Sequence, residues 1–264
     1  MSSQTPARGA DLVEIFSSIQ GEGTHVGATT LFVRFGGCDL RCRWCDSPHT
    51  WERASQCRIE VSRCSGEFEI RSNPMPLEDI VAAAESLDLE AHEFASLTGG
   101  EPLLQPEAVG EVARALRARG PRILLETHGL ATDALKSVIA DIDVVSMDWK
   151  LSSDVRRASD PRHGAVEPFH AEHEKFAVIA RRAPELIVKL VITPVSDDAE
   201  IDEAVSRVEA SAPEATLILQ PVTPFGLVRE APSAERLLTL CTRISSRLAK
   251  VRVIPQTHKI YGAL

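Results

Sequence analysis

The sequence lacks an excess of positive charge, and it lacks any long apolar run. Its 264 residues carry 29 lysines and arginines against 38 aspartates and glutamates, for a formal net charge of −9 at pH 7. A broad basic face for nucleic acid is therefore not expected. No apolar run approaches the roughly 20 residues of a membrane-spanning helix, and the polar first ten residues lack the apolar core of a secretory signal. We therefore expect a cytoplasmic protein that binds neither nucleic acid nor membranes.

The hydrophobic pattern is typical of strands that alternate with helices. Apolar runs predict strands at Leu31–Phe35, Glu93–Leu97, Arg122–Glu126, Val144–Met147, Leu186–Ile192, Thr216–Gln220 and Val251–Ile254. Amphipathic stretches predict helices near 77–88, 106–119, 131–139, 166–181, 198–211 and 232–249. This alternation indicates a parallel sheet with helical crossovers. Six or seven such units fit an incomplete (β/α) barrel better than the alternative, an open sheet.

Two segments interrupt the alternation. Residues 46–75 show no clear helix or strand pattern, and the polar, basic residues 151–165 are predicted to form a loop. No internal repeat or linker demands a second domain. We therefore expect one domain over residues 1–264, with a cysteine loop at 36–51, an irregular insertion at 52–75 and an irregular loop at 151–165.

Three of the six cysteines are clustered. Cys38, Cys42 and Cys45 lie within eight residues. A chain of this size does not need disulfides, so clustered thiols in a reducing compartment indicate metal or redox chemistry. Three thiolates are one short of a closed structural zinc site. They can instead hold a [4Fe–4S] cluster whose fourth iron is open to another ligand.

The remaining cysteines leave one alternative open. A zinc site completed by Cys57, Cys64 or His49 is possible on spacing alone. Otherwise Cys57 and Cys64 are interpreted as inert thiols and Cys241 as a buried apolar residue of a helix. Three histidines in or beside the basic segment are interpreted as surface residues: His163, His170 and His173.

The C-x-x-x-C-x-x-C pattern, with Trp44 before its last cysteine, resembles that of the radical S-adenosylmethionine (radical SAM) enzymes. In these enzymes the open iron binds the amino and carboxylate groups of SAM, and reductive cleavage releases a 5′-deoxyadenosyl radical. The resemblance implies an α/β fold, namely a partial (β/α)6 TIM-like barrel. It also implies an N-terminal hairpin and an irregular insertion beside the cluster.

A wider run, from EIFSSIQGEG to FVRFGGCDLRCRWCDS, resembles the 7-carboxy-7-deazaguanine synthase family. The resemblance covers most of the chain from Glu14 onward. It implies ring contraction of 6-carboxy-5,6,7,8-tetrahydropterin with loss of ammonia, on the route to 7-deazapurines such as queuosine. It further implies a [4Fe–4S] cluster, SAM and Mg²⁺ as cofactors, a flavodoxin- or ferredoxin-type electron donor, and a homodimer.

The same resemblance implies roles for individual residues. The cluster ligands are Cys38, Cys42 and Cys45, and the magnesium ligand is Ser47, where many relatives carry threonine. The residues implied to contact SAM are Trp44, Asp46, Gly100, Glu101, Ser146, Lys150 and Gln220. The residues implied to contact the pterin are Ile19, Gln20, Gly21, Glu22, Arg34, Thr98, His258 and Leu264, the last through its terminal carboxylate.

The positions of the polar residues agree with these roles. On a barrel, the carboxyl ends of the strands form the active face. The run 98–102 (TGGEP) directly follows one predicted strand, and 126–129, 146–150 and 220 end later strands. Arg34 lies within an apolar strand, and its planar guanidinium suits a substrate carboxylate.

Two other functions compete with this one. A different radical SAM enzyme, such as a glycyl-radical activase, would recognise a protein partner and would need neither Gln20–Glu22 nor Arg34. A non-catalytic adaptor could hold zinc with the same cysteines.

Overall fold

The computed structural model describes residues 9–161 and 163–262. Its strands are β1 (Gly9–Ala10), β2 (Leu12–Ile19), β3 (Thr29–Phe35), β4 (Leu40–Cys42), β5 (Gln56–Glu60), β6 (Phe68–Ser72), β7 (Met75–Pro76), β8 (Phe94–Gly99), β9 (Arg122–Thr127), β10 (Val144–Asp148), β11 (Val155–Arg157), β12 (Glu185–Ile192), β13 (Thr216–Pro221) and β14 (Val251–Val253). Its α-helices are α1 (Leu77–Ser86), α2 (Pro106–Arg117), α3 (Thr132–Val138), α4 (His170–Ala180), α5 (Asp198–Ser211), α6 (Ala234–Ser245) and α7 (His258–Tyr261). None of the described helices is long and apolar enough to cross a membrane.

Ten strands form one sheet in the order β14-β13-β12-β10-β9-β8-β3-β2-β5-β6. From β3 to β14 all neighbours run parallel. One of the helices α1 to α6 precedes each next strand of this parallel set, which makes six strand–helix units. β2 and β3 form an antiparallel hairpin. The predicted α/β fold is confirmed, and the described sheet ends at β14 and β6, as an incomplete barrel does.

The two faces of the parallel strands carry different side chains. On one face, side chains such as Leu97, Leu125 and Leu219 join the helices in the main hydrophobic core. On the other face, the first halves of the strands supply a small apolar cluster: Phe94, Leu124, Val144, Ile187 and Ile218. Two residues farther along each strand the same face becomes polar, with Ser96, Glu126, Ser146, Lys189 and Gln220. Because strand side chains alternate with a period of two, apolar and polar layers lie one above the other.

Two segments that were predicted to be irregular contain strands, so that prediction was wrong. Within 52–75, β5 and β6 extend the sheet beyond the hairpin. Within 151–165, β11 pairs antiparallel with β4 in the cysteine loop. β6 is mostly exposed and β11 has only three residues. Neither strand therefore carries a strong hydrophobic pattern of its own; each depends on a partner that is distant in sequence.

Candidate active site

A cavity opens where the carboxyl ends of the parallel strands meet the cysteine loop. Its wall includes the ends of β3, β8, β9, β10, β12 and β13. The predicted site residues that line it are Glu22, Arg34, Cys38, Cys42, Trp44, Cys45, Asp46, Ser47, Thr98, Gly100, Ser146, Lys150 and Gln220. The structure thus gathers side chains from distant parts of the sequence around one space. Cys57, Cys64 and His49, which were considered as additional zinc ligands, are not among the lining residues.

Among the other predicted pterin contacts, Gln20 bonds directly to a residue of this wall. The Gln20 amide donates to Glu126 Oε1 at 2.8 Å. Gly21 packs against the His258 ring so closely that a Cβ at Gly21 would lie 2.1 Å from His258 Nδ1. Only glycine permits this approach, which brings His258 to the hairpin loop. Ile19 is 39% exposed.

Glu101, a predicted SAM contact, is fully buried. Its carboxylate accepts hydrogen bonds from the amides of His128 (2.7 Å) and Leu103 (3.0 Å) and from Thr127 Oγ1 (2.8 Å). Glu101 therefore connects the turn after β8 to the end of β9. Its contact with SAM stays a prediction.

The cysteine loop is held in place by the segment after β10. β11 pairs with β4, and the Arg43 amide donates to the Asp154 carbonyl at 3.1 Å. The buried Asp154 carboxylate accepts from Thr193 Oγ1 (3.1 Å) and Ser196 Oγ (2.9 Å). Asp154 therefore fixes the cysteine loop to the end of β12.

Burial dominates the electrostatics of the thiols. It raises the pKa of Cys38 to about 12 and that of Cys42 to about 11, because a buried thiolate loses its hydration. The Lys150 ammonium opposes this rise at Cys42. A positively charged metal centre would stabilise the thiolates further.

Backbone close to the cavity depends on the Gly99–Gly100 pair. Gly99 has φ +137°, and a Cβ there would lie 2.1 Å from the Phe35 carbonyl oxygen. The Gly100 amide donates to that carbonyl at 3.0 Å, and the Glu101 amide donates to Gly37 O at 2.8 Å. The pair therefore lets the start of the cysteine loop rest directly on the end of β8.

A row of four alternating charges lines the cavity. Lys189 Nζ forms an ion pair with Glu22 Oε2 and lies 3.0 Å from Asp148 Oδ1, and Lys150 Nζ lies 2.6 Å from Asp148 Oδ2. Burial would raise the pKa of Asp148, but the two ammonium groups hold it well below its ordinary value. The pKa of Glu22 is likewise lowered by Lys189 despite burial. The carboxylates in turn hold the pKa values of Lys150 and Lys189 above their ordinary range despite burial. All four groups therefore stay ionised at neutral pH.

No role was predicted for three charged residues of the cavity wall: Glu126, Asp148 and Lys189. The first two lie in the runs 126–129 and 146–150, which were predicted only to end strands at the active face. Glu126 accepts hydrogen bonds from Ser96 Oγ and Thr98 Oγ1, both at 3.0 Å, as well as from Gln20. A signal was present for Lys189, which is the one cation within the apolar run LIVKLVI. That run was interpreted only as a strand of the sheet, so no role was predicted for its lysine.

His170 and His173 are buried, although the sequence analysis placed them on the surface. The Lys150 amide donates to His173 Nε2 at 2.9 Å, which makes Nδ1 the donor to the Gly129 carbonyl, also at 2.9 Å. His173 is thus a neutral ring that joins the ends of β9 and β10. The prediction failed because these histidines follow a polar segment, whereas the first turns of α4 pack inward.

The buried His173 should make stability depend on pH. Burial lowers its pKa well below the ordinary 6.5, so the unfolded chain binds a proton that the folded chain rejects. Below pH 6.5 this histidine should therefore reduce the free energy of unfolding by up to about 1.4 kcal/mol per pH unit. We measure the free energy of unfolding in urea from pH 8 to pH 5. We expect it to fall less steeply with decreasing pH in His173→Gln than in the wild type. His163→Gln, at an exposed position, is the control, and equal slopes in His173→Gln and the wild type would contradict the assignment.

The terminal segment connects two sides of the cavity. The Thr257 amide donates to the Gly21 carbonyl at 2.8 Å, and Lys259 Nζ lies 3.0 Å from Asp46 Oδ2. These contacts tie the residues before the terminus to both the hairpin loop and the cysteine loop. Leu264, a predicted substrate contact, lies outside the described residues.

Arg34 and Ser47 line the cavity, and the side chain of each donates a hydrogen bond to a carboxylate. Arg34 Nε donates to Glu14 Oε1 at 2.7 Å, and Ser47 Oγ donates to Asp46 Oδ1 at 2.8 Å. Arg34 therefore contributes a fixed positive charge. Ser47 and Asp46 contribute oxygen atoms of the type that Mg²⁺ prefers.

The residues present fit the predicted cofactors. Each of the three thiols faces the same cavity, and a [4Fe–4S] cluster binds each thiolate through a different iron. Within residues 9–161 and 163–262, no three His, Cys, Asp or Glu side chains are grouped to hold one metal ion. Gln220 Oε1 is buried and accepts no hydrogen bond from the described residues, so it can accept one from a bound ligand. An adenine amino group is such a donor.

Known proteins resemble this chain over nearly its whole length. The family model for the radical SAM superfamily matches residues 32–207. The 7-carboxy-7-deazaguanine synthase of Geobacter sulfurreducens is 36% identical, and the match spans 97% of this chain and 98% of that synthase. The synthase of Methanopyrus kandleri is also 36% identical, and the match spans 97% of this chain and 94% of that synthase. The crystal structure of QueE from Escherichia coli matches 95% of both chains with a TM-score of 0.58 at 20% identity, which supports the fold alone.

Proposed function

This chain belongs to the radical SAM superfamily and, within it, to the 7-carboxy-7-deazaguanine synthases, and from this premise we propose a role for each part of the cavity. The enzyme contracts the ring of 6-carboxy-5,6,7,8-tetrahydropterin and releases ammonia, in the biosynthesis of 7-deazapurines. The observation that carries the assignment is one cavity that combines three cysteines with polar strand ends. The activase and the zinc adaptor are not retained, because the full-length relatives are synthases.

Cys38, Cys42 and Cys45 would hold a [4Fe–4S] cluster. When bound, the cluster and SAM supply one-electron reductive chemistry and a radical that removes hydrogen. Lys150 and Gln220 line the cavity on the same side as Ser146 and suit the carboxylate and adenine of SAM. The buried His173 fixes the backbone that carries Lys150.

Other residues of the cavity wall would bind the pterin. Glu22 is ionised and accepts hydrogen bonds, which suits the adjacent N–H donors of a 2-amino-4-oxo ring. Arg34 offers a charge for the substrate carboxylate, and Thr98 lies opposite it on the neighbouring strand. Ser47 would supply an oxygen ligand to Mg²⁺ beside that carboxylate, and Asp46 would contact SAM.

The function is tested by anaerobic incubation of the reconstituted enzyme with SAM, dithionite, Mg²⁺ and carboxytetrahydropterin. We expect 7-carboxy-7-deazaguanine and ammonia in equal amounts, measured by mass spectrometry and an ammonia assay. Reactions with Ca²⁺ in place of Mg²⁺ serve as the control for the metal. A fully loaded cluster that cleaves SAM but gives no deazaguanine would remove the substrate assignment and leave the radical SAM assignment in place.

The electron donor is proposed to dock beside the cysteine loop. Arg43 and Arg229 lie near the exposed Phe225 and Leu227, and the Leu227 amide donates to the Arg43 carbonyl at 2.8 Å. Basic and apolar side chains next to the cluster ligands fit an acidic carrier of the flavodoxin or ferredoxin type. We expect the rate of cluster reduction by such a carrier to fall as the salt concentration rises. A rate independent of salt would contradict docking at this surface.

A homodimer and a cytoplasmic location complete the proposal. Within the described chain, β6 ends the sheet, and Ile70 at its centre is 62% exposed. Antiparallel pairing of two copies about Ile70 would place each Glu69 opposite Arg71 of the second copy, which is favourable. Sedimentation that finds only monomers would contradict the dimer, and recovery from a periplasmic fraction would contradict the location.

A further inference from the structure

Lys189 is a buried cation on the cavity side of β12, within the apolar run 186–192. Its side chain is 6% exposed, and the adjacent residues of β12, Val188 and Leu190, are fully buried. Removing a charge from water costs several kcal/mol unless partners compensate. Glu22 and Asp148 are the partners that compensate Lys189. Apolar packing alone therefore does not explain a lysine at this position.

We propose that Lys189 is a positioning residue that keeps the Glu22 carboxylate ionised and aimed at the N–H donors of the pterin ring. This inference rests on the proposed function and adds to it a residue that touches neither cofactor nor reacting atom. Lys189 Nζ binds Glu22 Oε2, while Gln256 Nε2 donates to Oε1 at 2.8 Å. The two contacts fix the plane of the carboxylate, which still lines the cavity.

A role for Lys189 as a proton donor or acceptor does not fit its surroundings. The charges of Asp148, Glu22 and Glu126 raise its pKa above the ordinary range, although burial acts in the opposite direction. Lys189 therefore stays an ammonium group at any physiological pH. A permanent charge can hold a carboxylate but cannot exchange protons with a substrate.

Without Lys189, Glu22 would face an unfavourable set of charges. The other titratable groups that act on or near it are Glu126, His258 and Asp148, of which Asp148 is also paired with Lys150. Two of these are carboxylates, and burial lowers the pKa of His258, so His258 is neutral at neutral pH. Loss of the ammonium should therefore raise the pKa of Glu22. A protonated Glu22 loses acceptor capacity, and pterin binding should weaken as pH falls.

The test uses Lys189→Met, which keeps an unbranched side chain and removes the charge. The dissociation constant of carboxytetrahydropterin is measured by calorimetry on the reconstituted enzyme with S-adenosylhomocysteine, from pH 6 to pH 8. We expect the ratio of the mutant to the wild-type dissociation constant to rise by about tenfold or more from pH 8 to pH 6. Binding that needs an ionised Glu22 weakens about tenfold for each pH unit below the pKa of that carboxyl group. Lys189→Arg should restore the wild-type profile.

Controls separate this role from a structural one. Lys136→Met breaks an exposed ion pair with Asp133 and should leave binding unchanged. In a Glu22→Gln background, Lys189→Met should add no dependence on pH. If Lys189→Met does not fold, Lys189→Gln gives the same comparison. A ratio that is constant with pH would overturn the inference, whereas a wild type that binds no pterin would overturn the proposed function instead.

Discussion

Cys42→Ala is expected to abolish 7-carboxy-7-deazaguanine formation and to prevent assembly of an intact [4Fe–4S] cluster. Three protein thiolates are the minimum that leaves a single iron open for SAM, so removal of one exposes a second iron and destabilises the cluster. Cys42 lies in β4, opposite Val155 of β11.

The measurement is iron content with the brown absorbance of the reconstituted protein, followed by the product assay. The wild type should hold about four irons per chain, and Cys42→Ala should hold markedly fewer and give no product. Cys241→Ala is the matched control, because Cys241 packs partly buried against the core in α6, far along the chain from the cysteine loop. Full iron and full activity in Cys42→Ala would remove the cluster assignment.

Gly99→Ala should destabilise the whole fold, because two independent penalties coincide there. A φ of +137° is a conformation that residues with a Cβ rarely adopt, which costs about 1–3 kcal/mol. The new Cβ would also lie 2.1 Å from the Phe35 carbonyl oxygen, and such overpacking costs roughly a further 1–3 kcal/mol. The free energy of unfolding should therefore fall by about 2–6 kcal/mol.

Urea unfolding of both proteins measures this loss. Gly120→Ala is a close control, since Gly120 has φ +122° and a Cβ added there would meet nothing within 4 Å. It should show only the conformational penalty, about 1–3 kcal/mol. The difference between the two variants isolates the collision with β3. If Gly99→Ala is no worse than Gly120→Ala, the contact between Gly99 of β8 and Phe35 at the end of β3 is looser than described.

Regular elements with their own hydrophobic pattern could be predicted well. The strand predicted at Leu186–Ile192 is observed as Glu185–Ile192, and the helix predicted near 198–211 is observed as Asp198–Ser211. Each buries an apolar face that its own residues supply. β6 and β11 could not be predicted in this way, because their stability comes from partners elsewhere in the chain.

The cluster ligands were accessible to sequence reasoning, but the charged row was not. Cys38, Cys42 and Cys45 are close in sequence, so their spacing alone suggests a shared metal centre. Asp148 and Lys189 meet only because β10 and β12 pair in parallel with these two residues in register. Glu22 joins them from a hairpin loop far away along the chain.

The sequence by itself thus determined the strand–helix alternation, the cysteine motif and the polar residues at the strand ends. Those features depend on local spacing, and local spacing is what a sequence displays. Only the tertiary structure decided which charges neutralise one another, that His173 is buried and neutral, and that Asp154 and β11 hold the cysteine loop. Such outcomes depend on strand register and burial, which set the distance between groups and the dielectric around them.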